Sequence, residues 1–321
     1  MILHKPIVFR PYFKHVIWGG KRICEYKGVP DSGSDIGESW EVSALPGQQS
    51  VVEKGEYAGM TLGDLVDRFG EQLLGERVSR KYGGKFPLLV KFIDAKEQLS
   101  VQVHPDDELA LRRHDSLGKA ELWYVIDSDP GAGIHIGLKE PLDADSLFNR
   151  IKEGTVMEAL SYHESKEGDV YFLPPGRIHS IGPGNLLVEI QESSDITYRI
   201  YDYGRKDADG KPRQLHTEEA REAIDFSVSD SYRLLHVGSR EEEKELLRCD
   251  HFTTCLYTIN PRREFLPTRD SFTIIICLKG EVTVKCRDGE ESIRAGHTLL
   301  IPAHTEKVTI EGQGRILTTQ G

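Results

Sequence analysis

The segment Glu167-Gly-Asp-Val-Tyr-Phe-Leu-Pro-Pro-Gly-Arg-Ile-His179 reads as a glycine turn, an apolar strand and a proline turn, and Ala295-Gly-His-Thr-Leu-Leu-Ile-Pro-Ala-His304 repeats that pattern. A second echo accompanies the first. The stretch Phe272 to Cys286, read as strand, turn at Lys279-Gly280 and strand, matches the segment around Leu122 to Gly133. Short runs rich in Val, Ile, Tyr and Phe also occur at Phe86 to Ile93, Leu122 to Ile126, Val170 to Leu173 and Leu186 to Gln191. Such runs, bounded by Gly, Pro or Asp, predict a mainly β, antiparallel protein. Two related β-barrels, residues 1–235 and 236–321, joined within the polar stretch Ser227 to Lys244, account for both echoes.

Helical periodicity is confined to a few places. From Thr61 to Tyr82, Leu62, Leu65, Val66 and Phe69 share one face, Leu73 and Leu74 continue it, and Thr61 with Asp64 can start it. Asp106 to Arg113 and Ala144 to Leu160 are shorter helical candidates, and the charged run Arg240 to Arg248 reads as a solvated linker helix. Nothing alternates strand and helix in the βαβ manner, so the helices are insertions, mostly in the N-terminal part.

A chain of 321 residues with 38% hydrophobic content can bury substantial cores. Its net charge of −11 and pI near 5.6 argue against nucleic-acid and anionic-membrane partners, which would be repelled at long range. A small anionic substrate then needs a local cluster of Lys and Arg. The five cysteines form no CxxC pair, and free thiols in a reducing compartment fit their odd number. Residues Met1 to Arg10 lack a sustained apolar region and no later stretch is long enough to span a bilayer, so the expected location is the cytoplasm.

The chemistry centres on Leu99-Ser-Val-Gln-Val-His-Pro-Asp-Asp107. Alternation along a strand puts Ser100, Gln102 and His104 on one side. Glu121 enters the next strand, and His179 ends the first of the repeated segments. Singly, each has an ordinary structural role open to it: His104 before a helix capped by Asp106, Glu121 on a surface, His179 in a turn. Jointly, two imidazoles, a carboxylate and an amide oxygen make a ligand set suited to Zn²⁺, and burying them without a partner is costly.

Those residues carry a resemblance. Gln102-Val-His104, Glu121 and the Gly168-Asp169…Pro174…Gly176…His179 run are similar to the metal-binding motifs of the cupin superfamily, in the form found in type I mannose-6-phosphate isomerases, particularly short bacterial ones. Matches extend from Trp18-Gly-Gly20 and Ile36-Gly-Glu-Ser-Trp40 through Gln102-Val-His-Pro-Asp-Asp107 to Ser194-Asp-Ile-Thr-Tyr-Arg199, covering essentially the whole chain. The resemblance implies cupin-like (jelly-roll) barrels and one Zn²⁺ per chain held by Gln102, His104, Glu121 and His179; the second barrel, which has no strand carrying His-x-His and a Glu, reads as metal-free. The resemblance also implies that Arg199 lies at the active site, that Lys119 lines the pocket, and that Glu189 and Asp195 are acidic groups near the metal. It further implies phosphate contacts from Lys91 and Ser100, and a pocket wall from Trp18 and Glu38. This chain has Lys119-Ala120-Glu121 where the eukaryotic pattern has Lys-Pro-Glu, and Arg205, the further phosphate contact that the resemblance implies, stands where a lysine is common.

The implied reaction is interconversion of mannose 6-phosphate and fructose 6-phosphate through an enediol or enediolate, with metal and Arg199 stabilising negative charge and the phosphate acting as a binding handle. Lys119, Glu189 and Asp195 are all candidates for the proton transfer, or for orienting the ligands. Two rivals are an Fe²⁺ cupin oxygenase and a non-catalytic sugar-binding cupin; the glutamine ligand and phosphate-suited cations weigh against the first, the lack of a DNA-binding helix pair against the second. A monomer or weak homodimer is expected. The remaining histidines, among them His135, His163, His251, His297 and His304, read as core or surface residues.

Overall fold

The computed structural model describes residues 4–30, 33, 35–206 and 209–321. Among them the named strands form three antiparallel sheets. One, of seven strands, runs in the order Arg233–His236, Asp169–Leu173, Glu121–Ser128, Asn185–Glu192, Leu88–Ala95, Ile36–Val42, Tyr12–Gly20. A five-stranded sheet packs on it in the order Tyr198–Tyr201, Val101–Val103, His179–Ile181, Gly133–Leu138, Leu160–Glu164. Side chains along a strand alternate between faces. Hence Ile93, Trp123, Val125, Tyr171 and Leu187 point towards Ile134, Ile136 and Ile181 of the smaller sheet, while Val90, Phe92, Leu122, Tyr124, Val188 and Ile190 point the other way. That outer face is also covered, so Leu88–Ala95 and Asn185–Glu192 are buried along their whole length.

The cover is the third sheet, of nine strands, together with short helices. Its spine is the pair Thr273–Cys286 and Val308–Gln320, which run side by side from Ile274 opposite Thr319 to Lys285 opposite Thr309. Ile7–Arg10, from the start of the chain, joins this sheet by pairing with Thr298–Ile301 and with Val51–Val52. Phe252, Leu256, Phe272, Ile274, Leu300 and Leu317 share one core with the seven-stranded sheet and with Leu62, Leu65 and Phe69. On its far side, Ile275, Val282, Val284, Leu299 and Ile316 close a separate apolar interior. The fold is mainly β as expected, and none of the three sheets closes on itself among the described residues; they pack face to face as open sheets. No described helix is long and apolar enough to cross a membrane.

Three elements differ from expectation. The region from Thr61 is three helices, Leu62–Phe69, Glu71–Leu74 and Glu76–Lys81, interrupted by Gly70 and Gly75; the Thr61–Asp64 capping box is present. A Cβ at Gly75 would fall 2.3 Å from the backbone carbonyl carbon of Asp270, so only glycine lets this break seat against the C-terminal lobe. Lys279-Gly280 is a bulge rather than a turn: one continuous strand shifts register between Cys277 and Lys279 and exchanges Thr298–Ile301 for Gly289–Arg294 as neighbour. Finally, the charged run expected to be a linker helix contains the edge strand Glu243–Arg248. Exposed charges are suited to an edge, where they discourage pairing with another chain.

Candidate active site

Val101–Val103 pairs with His179–Ile181 on one side and Tyr198–Tyr201 on the other, which sets Gln102 between His179 and Arg199. His104 follows that strand and Glu121 opens Glu121–Ser128 on the facing sheet. Glu121 Oε1 lies 3.4 Å from His104 Nε2, and its Oε2 3.8 Å from His179 Nε2. All three residues are at most 2% exposed. Gln102 Nε2 approaches His179 Nε2 at 3.2 Å; a half-turn of the amide brings its oxygen to the same place.

Both imidazoles are oriented from behind. His104 Nδ1 bonds to the Ile196 carbonyl and His179 Nδ1 to the Arg177 carbonyl, each at 2.8 Å, so with Nδ1 as donor both Nε2 lone pairs are directed at Glu121. Burial holds His104 well below its ordinary pKa, with the Lys119 charge adding to the effect; burial also lowers His179, against the opposing pull of Glu121. Neutral imidazole is the form a metal requires. Neither oxygen of buried Glu121 has a hydrogen-bond partner, although Lys119 Nζ stands 2.8 Å from Oε1 and 3.4 Å from His104 Nε2. Unmet carboxylate acceptors facing two neutral imidazoles and an amide fit a borderline divalent cation.

Register explains the charged row beside this centre. Glu189 pairs with Lys91 on one neighbouring strand and with Trp123 on the other, so three inward side chains lie abreast. Lys91 Nζ is 3.1 Å from Glu189 Oε1 and 3.8 Å from Glu38 Oε2, and lies over the Trp40 ring. Burial alone would lower the Lys91 pKa, but Glu189, Glu38 and Asp195 outweigh it and raise it above the ordinary lysine range. Trp123 Nε1 donates to Glu189 Oε2 at 2.8 Å, and Trp40 Nε1 to Glu38 Oε2 at 2.6 Å.

A cleft of about 330 Å³ opens over these groups. Trp18, Glu38, Lys91, Ser100, Gln102, Lys119, Glu189, Asp195 and Arg199 all line it. Arg205 does not: it bonds to Asp202 and the Gln98 carbonyl, and Arg213, held by the same Asp202, takes a place on the wall. Arg199 Nη1 donates to the Gln214 carbonyl while its Nε is buried without a partner. Burial, then the Arg213 charge, lowers the Arg199 pKa.

Lys14 and Arg213 were not among the residues expected from sequence. Lys14 Nζ lies 3.7 Å from Asp195 and 3.9 Å from Glu38. The period-two spacing of Lys14, Val16 and Trp18, all on the cleft wall, carried the signal for Lys14. Arg213 had none, because a loop brings it in. Lys14, Lys91, Lys119, Arg199 and Arg213 face Glu38, Glu189 and Asp195 across the cleft, so this wall is locally cationic on a chain of net charge −11.

Residues 8–130 match the catalytic domain of type I phosphomannose isomerase, and residues 242–320 match the cupin domain of mannose-6-phosphate isomerase. The chain is 34% identical over 311 residues to the mannose-6-phosphate isomerase ManA of Bacillus subtilis, covering 96% of each. The chain belongs to the type I phosphomannose isomerase family. The mannose-6-phosphate isomerase of Streptococcus mutans is 32% identical to it over 315 residues, 98% of this chain and 97% of that one. Among solved structures, mannose 6-phosphate isomerase from Bacillus subtilis superposes with a TM-score of 0.88 at 33% identity, covering 98% of this chain and 99% of that one. A mutant of phosphomannose isomerase from Salmonella typhimurium, at 17% identity and a TM-score of 0.80, covers 98% of both chains and shares the fold.

Proposed function

We propose that this enzyme interconverts mannose 6-phosphate and fructose 6-phosphate through an enediol or enediolate, with one Zn²⁺ held by Gln102, His104, Glu121 and His179. The observation that carries this reading is a buried Glu121 whose oxygens lie 3.4 and 3.8 Å from the Nε2 atoms of two back-bonded imidazoles, next to Gln102 and Lys119 on the wall of a cation-rich cleft. A bound zinc supplies Lewis acidity at the sugar's O1 and O2. An iron oxygenase is less well supported, because the cationic wall has no role in it.

The chain's own residues divide the remaining work. Ser100 lies two residues before Gln102, roughly 7 Å away along an extended backbone, which suits the length of an extended hexose. Ser100, Lys91 and Arg213 take the phosphate, and Arg205 supports Arg213 through the shared Asp202. Binding energy gained there orients the distant carbons. Arg199, beside Gln102, offers its unpartnered Nε to the oxyanion. Trp18 and Glu38 shape the wall. Glu189, buried on the cleft wall with its Oε1 3.1 Å from Lys91 Nζ, holds that ammonium in place. Lys119, against Glu121, orients a ligand, and Asp195 fixes Lys14.

The same reading divides the chain into a catalytic lobe, residues 1–235, and a metal-free cupin-like lobe, residues 236–321, in a cytoplasmic enzyme whose five cysteines are free thiols. The test is a coupled assay of mannose 6-phosphate conversion by the native chain and by His104→Ala. Conversion by the native chain and its loss in the variant support the proposal; equal rates refute it.

A further inference from the structure

One histidine of the C-terminal lobe lies against two carboxylates of the catalytic lobe. His251 lies in the turn between Glu243–Arg248 and Thr253–Ile259, and its side chain is 21% exposed. Its Nδ1 stands 2.8 Å from Glu192 Oε1 and 3.9 Å from Asp107 Oδ2. These two carboxylates grip the loop that carries Lys119 into Glu121. Asp107 Oδ1 accepts from the Gly118 amide at 2.8 Å, and Glu192 Oε2 accepts from the Ala120 amide at 2.9 Å. The Lys119 amide between them bonds to the Pro105 carbonyl at 3.1 Å, and the Glu192 amide returns a bond to the Ala120 carbonyl at 3.2 Å.

Each residue from Gly118 to Ala120 is therefore tied down through its amide, and two of those ties end on carboxylates that face one imidazole. Glu192 is fully buried yet is not part of the cleft wall. A buried carboxylate left without a polar partner is strongly destabilising. The imidazole of His251 faces it, and the contact with Glu192 raises the imidazole pKa, with Asp107 adding to this and burial and Lys81 opposing it.

We propose that His251 is a positioning residue: by holding Glu192 and Asp107 it fixes the Gly118 to Ala120 loop, and with it the placement of Glu121 and Lys119. This rests on the proposed metal centre. The phosphate groups lie elsewhere on the cleft, so a loosened loop weakens metal binding and turnover while leaving substrate affinity nearly intact. Outer contacts of this kind are worth about 10- to 100-fold in metal affinity or activity.

The test compares His251→Leu, which removes the contact, with His251→Asn, whose amide reaches the place of Nδ1. The metal-free chain is titrated with Zn²⁺ against a chromophoric chelator, and kcat and KM for mannose 6-phosphate are measured on the loaded enzyme, with thermal unfolding as a control. Expected for His251→Leu are a roughly tenfold weaker Zn²⁺ Kd, a roughly tenfold lower kcat and a KM within about twofold, with most of both losses restored by His251→Asn. Unchanged Kd and kcat in His251→Leu overturn the proposal. So does a loss that His251→Asn shares in full, which marks a general folding defect. His104→Ala, run alongside, separates the two levels: if it binds Zn²⁺ as tightly as the native chain, the metal centre itself is wrong and the proposal falls with it.

Discussion

The two lobe interiors are made from the same kind of antiparallel strand and filled with opposite chemistry. Between the strands of the C-terminal sheet lie Ile275, Cys277, Val282, Val284, Ile293, Leu299, Ile310 and Ile316, an apolar filling that stabilises simply by leaving water. At the corresponding place between the seven- and five-stranded sheets, Lys91, Gln102, His104, Glu121, His179 and Glu189 interrupt the aromatic and aliphatic packing. Neither architecture nor stability calls for those groups. Burying them costs free energy unless each finds a partner, so the contrast points to selection for chemistry in one lobe and for support in the other.

The contrast breaks most sharply at the metal centre. His104→Ala or Glu121→Ala is expected to lower kcat by roughly a thousandfold, about 4 kcal/mol, and to abolish bound zinc measured by atomic absorption; retained activity would mean the polar interior is incidental. In the apolar interior, Leu299→Ala is expected to lose about 2–5 kcal/mol of unfolding free energy in urea, while KM for mannose 6-phosphate stays put. A large KM change there would show that the second lobe shapes the substrate site directly. Arg213→Ala should raise KM by about 10- to 100-fold, as expected for a charged hydrogen bond worth roughly 1.5–3 kcal/mol, and Arg205→Ala by much less; the reverse order would return the phosphate role to Arg205. The smallest effect is expected at the seam outside both interiors. Thr61→Ala removes the cap of Leu62–Phe69 and should cost about 1 kcal/mol of stability with unchanged kinetics, read by thermal unfolding and steady-state assay.

What sequence revealed follows from the range over which each signal acts. Alternation in Leu99 to Val103 is local; Ser100 and Gln102 do line the cleft, but so does Leu99, because the strand begins only at Val101. Repeats of Gly, apolar strand and Pro found strands at Asp169–Leu173 and Thr298–Ile301. Local rules failed where a neighbour decides. Arg240 to Arg248 looks solvated from its charges, yet pairing with Thr253–Ile259 makes most of it an edge strand. Lys279-Gly280 has turn composition, but the opposing Gly312 and Gly314 let the backbone pass straight through as a bulge. Arg213 sits beside Arg199 only because Asp202 holds it there, a contact no spacing encodes. The role proposed for His251 depends likewise on contacts between lobes.

Stripping the divalent metal by dialysis against a chelator and following mannose 6-phosphate isomerisation before, after and on titration with Zn²⁺ is the most direct measurement. The expected result is loss of activity on stripping and full recovery at about one equivalent of zinc per chain. Undiminished isomerisation by the stripped chain would contradict a metal held by Gln102, His104, Glu121 and His179.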